Sequence, residues 1–132
     1  MDFYSKLLER VNQAGTFSTN SRIFVTRIEQ GCAEGVLHAD ESSLNPNGIV
    51  HGGCLVTLAD TVAGCAAHGL GGQYVTLSSN LNFLAPALLH RLNGQVAALF
   101  QSGLASLQKE QIVQPQQGGR QDQHRGAQVG GG

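Results

Sequence analysis

Charge is scarce in this sequence. Asp, Glu, Lys and Arg make up 13% of the 132 residues, about half the usual share. A surface so poor in charge implies that part of it is covered, most simply by another subunit. The formal net charge of −1 gives no electrostatic ground for expecting nucleic acid or an anionic membrane as a partner. Long apolar runs are missing too: none reaches the roughly 18 residues needed to cross a bilayer. Met1 to Gly15 reads as an amphipathic run, without the basic start and long apolar stretch of a secretory leader. Cysteine is sparse. Cys32, Cys54 and Cys65 are an odd number with no C-x-x-C spacing, which argues for reduced, partly buried thiols and a cytoplasmic location. His38, His68, His90 and His124 have no ligand partners at useful spacing, so neither a metal nor a cofactor is assigned.

What is present suits one domain with a single core. Phe3, Leu7, Leu8 and Val11 lie at helical spacing and predict a short amphipathic helix over Phe3 to Val11. Gly15 to Ser21, rich in Gly, Ser, Thr and Asn, reads as a loop. Ile23 to Ile28 and Cys32 to Ala39 are β-rich runs split by Glu29-Gln30-Gly31, the pattern of an antiparallel hairpin. Asp40 to Gly48 is a turn cluster holding Pro46 and Gly48.

The most informative stretch is Asn45 to Ala67, N-P-N-G-I-V-H-G-G-C-L-V-T-L-A-D-T-V-A-G-C-A-A. It turns, passes a histidine and two glycines, and becomes an apolar run carrying one charge, Asp60. From Gly52 or Gly53 to about His68 it should be helix, with Leu55, Leu58, Ala59, Val62 and Ala66 on one stripe. Asp60 falls roughly 200° round the axis from Leu58. Its neighbours there are Gly53, Val56, Thr57, Ala63, Gly64 and Ala67, none of them charged. A solvated helix face normally carries several charges, so this face should be covered as well.

Tyr74 to Leu84 alternates cleanly and predicts a strand, with Val75, Leu77, Leu81 and Phe83 on one side and Tyr74, Thr76, Ser78, Asn80 and Asn82 on the other. Beyond Ala87, the spacing of Val96, Leu99, Phe100, Leu104 and Leu107 fits a helix better than strict alternation, although Val96 to Phe100 also fits a buried strand. Residues 1–113 are read as one domain. The Gln- and Gly-rich residues 114–132 hold too little apolar surface to offset their ordering entropy and are expected to be disordered.

N-P-N-G-I-V-H-G-G at Asn45 to Gly53, L-A-D at Leu58 to Asp60 and N-F-L-A-P-A at Asn82 to Ala87 occur in order with short gaps. Together they resemble the hotdog-fold acyl-CoA thioesterases of the phenylacetate-degradation type, over about residues 22–87. The resemblance implies an α+β hotdog fold, a long central helix wrapped by a curved antiparallel β-sheet. It implies dimers, often tetramers, with the active site at the dimer interface and an acyl-CoA as substrate. Carried onto this chain, Asp60 becomes the catalytic carboxylate, and Gly52 offers its backbone N–H to the thioester carbonyl. Asn45 helps hold water or substrate, His51 opens the H-G-G turn, and Thr76 takes the place of a helping hydroxyl. Asp60 and Asn45 are expected to come from different subunits. Relatives continue with a Gly-containing turn and two long alternating strands, whereas Leu88 to Val113 shows no clear pair of them. The C-terminal third is thus either divergent or altered, for instance by a shifted reading frame.

The residue types suit the chemistry. Thioester hydrolysis needs a base or nucleophile beside the carbonyl carbon and donors where negative charge develops. Free amides at a helix N-terminus supply such donors. Without the motif, His51 and Asn45 would read as turn residues and Thr76 as a plain strand threonine. The alternative to an enzyme is a non-catalytic or vestigial acyl-CoA-binding protein. A hotdog dehydratase or hydratase fits less well, because only nine positions separate His51 from Asp60 and glycines follow the histidine directly.

Overall fold

The structure, a computed structural model, describes residues 1–91 and 95–101. Helix α1 covers Phe3–Val11 and a short α2 covers Phe17–Asn20. Strands β1 (Ile23–Glu29) and β2 (Cys32–His38) follow, then helix α3 (Gly52–His68) and strand β3 (Gln95–Gln101). The expected tail at 114–132, and the expected domain beyond residue 101, lie outside the described residues.

The strands form an antiparallel sheet in the order β1-β2-β3. Gly31, with φ of 68°, makes the β1–β2 turn in a backbone region that only glycine enters freely. A register shift between Val25 and Arg27 inserts one residue into β1. The shift moves the inward positions from Ile23 and Val25 to Ile28, keeping all three on the buried face. Opposite them lie Ala33 and Leu37 of β2, then Val96 and Ala98 of β3, all buried. On the outer face Arg27 pairs with Glu29 and Glu34, and its hydrogen bond holds the Glu34 carboxyl below the usual range.

Helix α3 lies across this face and buries Leu58, Val62, Cys65 and Ala66. Of the stripe read from sequence, Leu55 and Ala59 are only half-buried, and Cys65 joins the core instead. Burying a side chain such as Leu58 or Val62 completely contributes about 1.5–3 kcal/mol. The approach is close because two glycines permit it. A Cβ on Gly35 would sit 2.6 Å from Val62 Cγ2, and one on Gly69 would sit 2.3 Å from the Glu29 carbonyl oxygen. Gly69 has ordinary helical angles (φ −61°, ψ −18°), so the glycine there is needed for space.

Three expectations change. Gly15 to Ser21 is not all loop: Thr16 and Thr19 cap each other reciprocally and start α2. Of the two readings left open for Val96 to Phe100, the strand is the one found. Tyr74 to Leu84 does not form a strand. It pairs with none of the described strands, and Val75 and Leu77 are 94% and 98% exposed. Alternation describes how side chains point, whereas a strand also needs a neighbour for its amides and carbonyls.

Two outcomes check this packing. Gly69→Ala should lower the unfolding free energy by about 1–3 kcal/mol through overpacking. Gly64→Ala, where an added methyl meets nothing within 4 Å, should raise it by about 0.5–1 kcal/mol through helix propensity. Urea midpoints that shift in the same direction would contradict the packing account. Burial pushes the Cys65 thiol up to about 11. Near neutral pH, iodoacetamide should therefore modify Cys32 well before Cys65, as peptide mass mapping would show.

Candidate functional site

Helix α3 begins at a loop held by several independent ties. Ser43 is buried; its carbonyl accepts from the His51 N–H (2.7 Å), and its hydroxyl accepts from the Asp40 N–H (3.2 Å). The Asn45 Oδ1 accepts from the Asn47 and Ile49 amides at 2.9 and 3.3 Å. Gly48, at φ 75°, closes that turn by donating to the Asn45 carbonyl. The Val50 N–H donates to the Ala87 carbonyl at 2.9 Å, tying the loop to the end of the N-F-L-A-P-A segment.

His51 caps the helix. Its Nδ1 accepts from the Gly53 N–H at 2.8 Å, and its carbonyl accepts from the Cys54 N–H at 2.9 Å. Among the described residues the Gly52 N–H has no such partner. That amide stands at the positive end of the helix, where backbone dipoles favour negative charge. The two glycines are there for different reasons. A Cβ on Gly53 would meet His51 Nδ1 at 2.9 Å, while one on Gly52 would meet nothing closer than the Phe83 ring at 3.4 Å. Packing within the chain excludes a side chain at 53 and not at 52.

Two helical turns further on, Asp60 is exposed and accepts a 2.6 Å hydrogen bond from the Thr76 hydroxyl. Asp60 and Thr76 line a cleft of about 930 Å³, bounded by the α3 face with Ala63 and Gly64, by the extended residues from Tyr74 to Leu81, and by Arg10 and Val11 of α1. Of the uncharged face predicted around Asp60, Ala63, Gly64 and Ala67 line this cleft, whereas Gly53, Val56 and Thr57 do not. Its far wall carries Tyr74, whose hydroxyl donates to the Gly71 carbonyl (2.9 Å) and whose ring meets His68 edge to face at 5.8 Å.

The five residues singled out from sequence therefore form two groups within one chain. Asp60 and Thr76 meet at the cleft; Asn45, His51 and Gly52 gather at the start of α3. Gly52 and Asp60 are eight residues apart on one helix, or about 12 Å along its axis at 1.5 Å per residue. In the single chain, the oxygen of Asn45 and the Nδ1 of His51 both serve the turn and cap. Sequence reasoning missed Phe83 at the helix start. Its alternation placed it on an apolar side but carried no sign that the ring reaches Gly52.

Residues 47–103 match the family model described as the thioesterase superfamily. No curated protein matches the chain. Among solved structures, a conserved Pseudomonas aeruginosa protein is 26% identical, with 68% of this chain and 71% of that one covered and a TM-score of 0.60. The E. coli PaaI protein of the phenylacetic acid degradation operon is 21% identical, with coverage of 74% and 68% and a TM-score of 0.64. Thioesterase superfamily member 2 of Mus musculus is 17% identical, with coverage of 75% and 72% and a TM-score of 0.61. Residues 47–103 are thus similar to the thioesterase superfamily, and the long helix on an antiparallel sheet gives this chain the hotdog fold of these structures.

Proposed function

We propose that the chain hydrolyses an acyl-CoA thioester to a carboxylic acid and free CoA. The observation that carries this reading is Asp60, held by the Thr76 hydroxyl at 2.6 Å on a helix face that is otherwise uncharged and borders a cleft. An aspartate so placed is in position to act on a carbonyl carbon, either through a water molecule or by direct attack. Thr76 fixes which carboxylate oxygen is occupied and leaves the other for the reaction. The Gly52 N–H is the donor for the carbonyl oxygen as charge develops on it. As water adds and the C–S bond breaks, CoA leaves as the thiol after taking up a proton.

Asp60 and Gly52 of one chain are too far apart to reach the same carbonyl group, at about 12 Å along the axis. The reading therefore includes a homodimer in which Asp60 of one copy works with Gly52, His51 and Asn45 of the other. A two-fold axis would build two such sites from one interface. Pairing of this kind would also cover the charge-poor face of α3, and two dimers could assemble as a tetramer. Free Cys32, Cys54 and Cys65 fit a reducing, cytoplasmic setting. No helix among the described residues is long and apolar enough to cross a membrane.

A thiol-release assay over short, aromatic and long acyl-CoA esters tests the reading. Asp60→Asn should reduce kcat by at least about 100-fold, with the folded state unchanged by circular dichroism. Full activity in that variant, or no turnover of any ester by the parent, would end the proposal. CoA-ester binding without hydrolysis would favour the non-catalytic alternative. Thr76→Val should reduce kcat about tenfold, a barrier increase of about 1.4 kcal/mol, with little change in KM. A strictly monomeric solution mass in an active preparation would refute the shared site.

A further inference from the structure

Phe83 is 54% exposed and belongs to a segment outside the sheet, where it lines a small cavity with Leu55, Leu58 and Val96 and turns one face of its ring, near the tip, onto Gly52. Its Cζ, Cε2 and Cε1 lie 3.4, 3.8 and 3.9 Å from the point a Gly52 Cβ would occupy. The neighbouring amides of Gly53 and Cys54 are engaged by His51, so the ring lies against the residue whose own amide has no partner among the described residues.

We propose that Phe83 is a positioning residue for the Gly52 N–H, shielding it from water and forming the apolar wall of the carbonyl-binding end. This inference rests on the thioesterase reading for its catalytic consequence, and on geometry alone for the shielding. One physical effect follows from the contact. An amide screened from water interacts more strongly with a developing oxyanion, because less solvent competes for either partner. A leucine would keep most of the wall; an alanine would lose it.

Amide exchange measured by NMR at Gly52, Gly53 and Cys54, together with kcat and KM, tests this in the parent, Phe83→Leu and Phe83→Ala. In Phe83→Ala, exchange at Gly52 should rise about tenfold while Gly53 and Cys54 stay unchanged. The same variant should lose about tenfold in kcat with KM within about twofold, and Phe83→Leu should recover part of the loss. Unchanged exchange at Gly52 would overturn the proposal. So would an equal rise at all three amides, which marks a loosened helix end. Unchanged kcat in Phe83→Ala, in a chain whose turnover Asp60→Asn abolishes, would remove the catalytic role. A parent that hydrolyses nothing but shows the selective rise at Gly52 supports the shielding and defeats only the thioesterase reading.

Discussion

Helix α3 lies as close to the β1–β2 hairpin as it does because residues 35 and 69 have no side chains. Gly35 leaves room for the Val62 methyl, and Gly69 lets the end of the helix rest against the Glu29 carbonyl. Val62 is branched at Cβ and has few rotamers to retreat into, and a backbone carbonyl cannot retreat at all without moving the turn. With both ends of contact set, the rotation of the helix about its axis is set as well. Leu58, Val62, Cys65 and Ala66 go into the core, and Asp60 must then face the cleft.

The start of the same helix shows how a fold can reserve one donor. A helix N-terminus exposes several amides, and unpaired polar groups that lose water are costly. Here His51 takes two of them, one on its ring nitrogen and one on its carbonyl, and among the described residues the Gly52 amide has no partner. The capping histidine and the free amide are thus two sides of one arrangement. The loop before it can hold that arrangement because the buried Ser43 and the Val50–Ala87 hydrogen bond anchor both of its ends.

Residues 74 to 84 are organised around α3 instead of around a sheet. Thr76 bonds Asp60, Tyr74 packs on His68, and Phe83 reaches Gly52, so the segment touches the helix near its end, its middle and its start. Meanwhile Val75 and Leu77 remain almost fully exposed. Leu84 is also largely exposed, whereas Leu81 is half-buried.

Local pattern was enough for what depends on local spacing. The bounds of α1 and α3, the β1–β2 hairpin with its glycine turn, and the isolation of Asp60 on an uncharged face can all be read from the order of residues, because helical and strand periods act over a few positions. The cap at Thr16 was missed because Ser and Thr serve loops and helix starts equally well. Val96 to Phe100 was ambiguous because a short apolar run fits either period until β2 supplies its partner. The reverse happened at Tyr74 to Leu84, where a clean alternation met no described strand to pair with. Resemblance to a family put Asp60, Thr76, Gly52, His51 and Asn45 in one list and expected Asp60 and Asn45 from different subunits, but it did not show which of them meet within one chain. Only the fold brings Thr76 to Asp60 and Phe83 to Gly52. Those are distances between segments far apart in the chain, and they are decided by how closely a helix can approach a sheet.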